Sequence, residues 1–223
     1  MRDCDRPEIV LEASTPHASV AVLCGGVVIA EAAVEMRAGA EDALMPAVDA
    51  ALRAAGVGPA DLAAVVCGAG PGGFTSLRIG AAVAKGLAHA TRARLQAVPS
   101  LALAAAARGP GRWIATLDAL RGERYAAQVT VNAAGLAFEY TYLGVLGADA
   151  VADTITHAGA GPWPVGEANA NARPPHARDA PACAQLIADV DLDAWEPLYG
   201  RLAEAQARWE ATHGPLPPVR PGA

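Results

Sequence analysis

The sequence predicts an α/β fold built from a duplicated β-meander with helices packed on it. Two three-strand runs, one starting at Glu8 and one at Trp113, each end their first strand on an acid, in Leu11-Glu12-Ala13 and Leu117-Asp118-Ala119. After the first run the apolar period changes from two to four residues, which marks a helix. A glycine-rich turn, Gly68 to Gly73, then joins a buried apolar run to a second helical period. At 223 residues the chain suits one large domain or two small ones with a sizeable core.

Taken in order, Glu8 to Ala13, Ala18 to Leu23 and Val27 to Val34 are β-rich, and Gly25-Gly26 makes a two-residue hairpin between the last two. From Glu41, Leu44, Val48 and Leu52 recur every four residues beside Ala47 and Ala51, until Gly56 stops the helix. Pro59-Ala60-Asp61 turns the chain into a buried strand, Leu62 to Cys67. Beyond the glycine loop a helix runs from Thr75 to Ala90, then a strand from Arg94 to Val98, and Ser100 is placed to cap a short Ala-rich helix. The pattern restarts after Gly109-Pro110-Gly111, with strands Trp113 to Asp118, Arg124 to Val131 and Leu136 to Leu143. Residues 159–181 are rich in Pro, Gly and Ala and read as loop; 191–199 are irregular; 201–212 read as a terminal helix. These boundaries divide the chain into a first half, 1–103, a reduced second half, 104–214, and a disordered tail, 215–223.

Composition narrows the function. Apolar residues make up 53%, but 56 residues are alanine, and charged residues at 18% fall below the usual ~25%, so whole-chain disorder is excluded. The net charge of −6 argues against a free-standing nucleic-acid binder. The charge is uneven: from Leu62 to Leu117 there is no acid, and Arg78, Lys85, Arg92, Arg94, Arg108 and Arg112 give +6, leaving −12 for the rest. Such a monopolar segment suits an anionic partner, although chance in a chain whose basic residues are nearly all Arg accounts for it equally. The scattered cysteines Cys4, Cys24, Cys67 and Cys183 indicate neither a zinc site nor a disulfide framework. No apolar run approaches the ~18 residues of a membrane span, and the charged N-terminus lacks a signal core, so a cytoplasmic chain with no membrane partner is expected.

Gly68-Ala69-Gly70-Pro71-Gly72-Gly73 fits a GxGxxG pattern. A dinucleotide site is disfavoured because a meander precedes it and no acid follows until Asp118, and Phe74 stands where a Walker loop needs Lys. Two readings stay open: a tight strand-to-helix turn, or an anion cradle using Gly70, Gly72, Gly73 and Thr75. On the helix that follows, Ser76, Gly80, Ala84 and Ala88 form a small-residue stripe flanked by Leu77, Ala81 and Lys85, with Arg78 near. His17, His89, His157, His176 and His213 show no HxxxH or HExxH pairing, so no metal or other cofactor is expected, and no nucleophile has a base in sequence reach.

The segment from Gly68 to Ala88, GAGPGGFTSLRIGAAVAKGLA, closely resembles the hallmark of the bacterial TsaB (YeaZ-type) family. Further likenesses fall in order: Glu12-Ala13-Ser14-Thr15, Ser19 to Val22, Val98 to Leu101, Asp118 to Tyr125, and Pro197-Leu198-Tyr199 followed by Arg201. The resemblance implies an actin-like/Hsp70-like (ASKHA, ribonuclease-H-like) duplicated fold. It also implies a non-catalytic part in making threonylcarbamoyladenosine in tRNA. The partners implied are a TsaD-like catalytic subunit, bound through two small-residue helices, and a TsaE-like ATPase, with tRNA reached only through the complex. On that basis the interface is expected at Leu44, Met45, Val48 and Leu52 on the first helix and Leu77, Arg78, Gly80, Ala81, Ala84 and Lys85 on the second. Arg78 and Lys85 would select an acidic or nucleotide-bearing surface, and the chain alone would form a homodimer.

The sequence departs from the family pattern at Glu12 for Asp, Ala13 for Thr, Gly73 for Ser and Ser76 for Gly, so the helix cap falls to backbone or Thr75. Arg37-Ala38-Gly39-Ala40-Glu41 lacks the family's His. The competing reading is an ATPase or small-molecule kinase of the same fold, with Glu12 and Asp118 near the phosphates and Gly70 to Gly73 as anion loop. A peptidase has no residue support.

Overall fold

The computed structural model describes residues 6–36, 43–158, 161–164, 174–201, 209 and 212–214. The expected features at 37–41 and in the tail lie outside these residues, and so does most of the expected terminal helix, of which Trp209, Thr212 and His213 are helical.

The first meander is β1 (Glu8–Glu12), β2 (His17–Cys24) and β3 (Val27–Glu35), all antiparallel neighbours. Gly25 and Gly26 both take positive φ, 56° and 74°, the conformation a two-residue hairpin with native twist requires. Helix α1 (Leu44–Ala55) ends at Gly56, whose left-handed conformation (φ 68°) lets its N–H reach the Arg53 carbonyl at 3.1 Å. A 3-10 turn, Pro59–Asp61, leads into β4 (Ala64–Gly68), parallel to β1. Helix α2 (Phe74–Thr91) returns to β5 (Arg94–Val98), parallel to β4, and α3 (Ser100–Ala106) leads out of this half.

The second meander is β6 (Gly111–Asp118), β7 (Glu123–Val131) and β8 (Ala137–Gly147), followed by α4 (Ala148–Ala158) and β9 (Gly161–Pro164) parallel to β6. A 3-10 helix, Ala177–Leu186, and the short β10 (Ala188–Asp189) follow, β10 pairing with β5. The two sheets have the orders β10-β5-β4-β1-β2-β3 and β8-β7-β6-β9. Each therefore lays a meander beside a parallel strand added next to its first strand, the duplicated actin-like arrangement, with the second copy reduced.

Two corrections arise. Part of the expected loop at 159–181 is the strand β9 and the 3-10 helix. Gly161, Pro162 and Pro164 suggest loop, but β9 is an edge strand, where a residue without an N–H leaves no ladder bond broken. Ser100 does not cap α3; Pro99 is the cap residue, and the fully buried Ser100 hydroxyl instead accepts the Gly70 N–H at 3.0 Å.

The large sheet is apolar on both faces. Ile9, Leu11, Val65 and Cys67 point to α1 and α2, while Val10 and Val66 point to α3, the second sheet and the 3-10 helix. Central strands covered on both sides lose alternation and read as continuous apolar runs. Cys67 and Cys183 are buried free thiols, and Cys24 is disulfide-bonded, a bond the cysteine spacing did not suggest.

Candidate functional site: the glycine loop and the outer helix face

The loop between β4 and α2 is a junction of three distant parts of the chain. A Cβ on Gly68 would strike the Glu12 carboxylate, one on Gly72 the Ser14 backbone, and one on Gly70 the Leu198 carbonyl. Gly70 also sits at φ 80°, so here glycine answers both conformation and close approach. The loop amides are largely spent inside the fold. Ala69 donates to Val98 O at 2.7 Å, Gly70 to Ser100 Oγ and Gly73 to Ser14 O at 2.8 Å, and Leu198 in turn donates to Ala69 O. The helix cap is backbone: Leu77 N–H reaches Gly73 O at 2.9 Å, while the Ser76 hydroxyl donates to the same carbonyl. Of the residues expected to cradle an anion, Gly70 and Gly73 thus have no free N–H, Gly72 is buried, and Thr75 is exposed on the helix.

Glu12 forms the floor of this junction. It is 1% exposed, and its Oε1 accepts the Ser14 N–H at 2.6 Å while Oε2 has no hydrogen bond. Burial pushes its pKa above the ordinary carboxyl value, more than the nearby Ser14 and Ser100 groups pull it down. Asp118, its counterpart in the second meander, is exposed and accepts the Leu120 N–H at 2.8 Å. A nucleotide site using both acids would need Glu12 at a solvent-facing surface, and it is not there. Among the described residues no group of three or more His, Cys, Asp or Glu could hold a metal ion, and no helix is long and apolar enough to cross a membrane.

The segment from Val190 to Arg201 runs along α2. Val190 N–H bonds Leu95 O at 3.0 Å, and Lys85 Nζ donates to the Asp193 carbonyl at 3.3 Å. The Tyr199 ring lies 4.8 Å from that of Phe74, Arg78 stacks 5.4 Å over the same Phe74 ring, and Arg201 pairs with Glu123. Gly200 packs on the Tyr125 ring. The closing residues Pro197 to Arg201 therefore clasp the start of α2 to the second sheet, a role their spacing in the sequence did not disclose.

Helices α1 and α2 lie side by side on one face of the large sheet. Seven of the ten residues expected at an interface face inward: Leu44, Val48 and Leu52 on α1, and Leu77, Gly80, Ala81 and Ala84 on α2, are all buried in the chain's own core. Gly80 is small because a Cβ there would stand 3.0 Å from Ala13 Cβ; its stripe packs on β1. Lys85 is engaged within the chain, as above. Met45, 49% exposed, and Arg78 remain on the outside.

The outer face has a small-residue stripe of its own. Ala82, Gly86 and Ala90 on α2 and Pro46, Ala50 and Ala54 on α1 are all exposed. A Cβ on Gly86 would meet nothing within 4 Å. In a helix interior glycine costs roughly 1 kcal/mol relative to alanine, and nothing within this chain requires it at that position. A two-helix surface of this kind lets another backbone approach closely.

Comparison with known proteins agrees with this architecture. Residues 9–145 match the family model described as TsaD, tRNA N6-adenosine threonylcarbamoyltransferase. The tRNA threonylcarbamoyladenosine biosynthesis protein TsaB of Bacillus subtilis (strain 168) is 34% identical over 119 residues, 52% of this chain and 52% of that protein. The match thus spans about half the length of that relative. Among solved structures, YeaZ from Pseudomonas aeruginosa superposes with a TM-score of 0.66 at 24% identity, over 87% of this chain and 99% of that one. A second structure, described as an uncharacterized protein with similarity to peptidase YeaZ from Pseudomonas aeruginosa, gives 0.71 at 27% identity, over 88% and 100%.

Proposed function

Because the chain belongs to the TsaD family, within which it is similar to TsaB (YeaZ-type) proteins, we propose that it is the non-catalytic subunit of a tRNA threonylcarbamoyladenosine-forming complex. It binds a TsaD-like catalytic subunit, supports its activity together with a TsaE-like ATPase, and works in the cytoplasm. It reaches the tRNA only indirectly, through the complex.

The observation that supports this reading is the outer face of α1 and α2. Gly86 gives up helix stability with open space above it, between Ala82 and Ala90 and beside a helix that presents Met45 and small residues. A partner's helices laid on this face would make use of the missing Cβ. The buried acid Glu12 and the loop amides occupied within the fold supply no reacting group, which favours a binding role over turnover. Alone, the same face is open to a second copy, and a homodimer is expected that the catalytic subunit displaces.

The test is Gly86→Leu. Light scattering after size-exclusion chromatography of an equimolar mixture with the TsaD-like subunit should show a one-to-one heterodimer for the unmodified chain and separate species for the variant. A Gly86→Leu chain that still binds with unchanged affinity would remove this face from the account.

A further inference from the structure

We infer that Glu12 is a proton-controlled latch beneath the glycine loop. With its proton, the carboxyl lets Gly68 to Gly73 close over it; without the proton, it drives the loop open toward water. The loop is held by residues that also hold Glu12. Gly73 donates to the Ser14 carbonyl at 2.8 Å, and the Ser14 N–H donates to Glu12 Oε1 at 2.6 Å. Gly70 donates to Ser100 Oγ at 3.0 Å. A Cβ on Gly68 would strike Glu12 Oε2 and stand 3.0 Å from Ser100 Oγ, so the carboxyl and that hydroxyl both lie against the start of the loop. Oε2 itself has no hydrogen bond, and the Ser14 hydroxyl, in a residue 3% exposed, has none either. This inference goes beyond the proposed function and does not depend on it.

The groups that face the carboxyl are neutral: Ser14 after β1, the buried thiol of Cys67 on β4, Ser100 at the start of α3, and the backbone of the loop. Glu12 makes no ion pair among the described residues. A neutral carboxyl is tolerated in such a place, whereas an unpaired carboxylate with one oxygen unsatisfied is costly. The charge therefore favours any rearrangement that brings water to Oε2. Withdrawing β1 would break ladders on both sides, since it pairs with β2 and with β4. Opening the loop breaks only the single bonds of Ala69, Gly70 and Gly73, and Gly73 and Leu198 are already exposed. The loop is the element that yields, and its glycines gain backbone freedom as it does. Because burial raises the affinity of Glu12 for its proton, the closed loop is favoured at low pH and is lost as the pH rises. Asp118, which ends the equivalent strand of the second meander, is exposed, so the device belongs to the first meander alone.

The experiment is amide hydrogen exchange of the full chain, followed by NMR between about pH 5.5 and 7, in the parent and in Glu12→Gln. In the parent, the Gly70 and Gly73 amides should exchange through an opening smaller than global unfolding, and so faster than Val66 in β4. After correction for the intrinsic exchange rate, that opening should become more populated as the pH rises, by up to about tenfold per pH unit, the limit set by one proton. Glu12→Gln keeps the carbonyl that accepts the Ser14 N–H but cannot titrate, and its loop opening should not change with pH. The same pH dependence in both proteins would overturn the inference. Two results in the parent alone would also overturn it: a loop opening that does not change with pH, or loop amides that exchange only together with Val66.

Discussion

Replacing Glu12 with Gln should stabilise the protein increasingly as the pH rises through the weakly acidic range. Glu12 is 1% exposed, and burial raises its pKa above the ordinary carboxyl value of 4.5. The folded state therefore binds more protons than the unfolded state between 4.5 and the raised folded value. Its contribution to stability is fully present below the unfolded value and is lost as the pH rises toward the folded one. The slope is bounded by one proton, about 1.4 kcal/mol per pH unit, so between pH 5.5 and 7 the difference between variant and parent can grow by at most about 2 kcal/mol. Gln keeps the carbonyl that accepts the Ser14 N–H and cannot titrate. Urea unfolding of both proteins at several pH values isolates the effect, since every other titrating group is common to both. A difference that stays flat with pH, or shrinks as the pH rises, would refute the assignment of Glu12 as a buried, largely desolvated acid.

The other predictions concern the helices and the loop. Gly86→Ala should raise stability by about 1 kcal/mol, because the Cβ meets open space, and thermal unfolding of the isolated chain would show it. Gly80→Leu, by contrast, should destabilise by about 1–3 kcal/mol or prevent folding, since even a Cβ there crowds Ala13. Ser100→Ala removes the acceptor of the buried Gly70 N–H and should cost about 1–3 kcal/mol by denaturant unfolding.

Much of this architecture is legible in the sequence because local rules and the fold agree. Gly25-Gly26 and the β-rich runs on either side define the first hairpin, and the Leu44, Val48, Leu52 period with Gly56 at its end defines α1. What escapes is decided by distant partners. The glycine loop is conspicuous, but the reasons for its glycines are Glu12, Ser14 and Leu198, none of them near it in sequence. Glu12 and Asp118 end equivalent strands in similar tripeptides, yet only Glu12 is closed over by a loop. On α2 two small-residue stripes compete, Ser76-Gly80-Ala84-Ala88 and Ala82-Gly86-Ala90, and a chain with 56 alanines offers no hydrophobic contrast to rank them. The contact of Gly80 with Ala13, just past the end of β1, decides which stripe faces the sheet.

Light scattering coupled to size-exclusion chromatography, with the purified chain run alone and mixed with a TsaD-like subunit, tests the central claim most directly. The account predicts a homodimer that gives way to a one-to-one heterodimer, and restored threonylcarbamoyladenosine formation on tRNA once a TsaE-like ATPase is added. A chain that elutes unchanged beside the catalytic subunit, and leaves tRNA modification where it was, would contradict it.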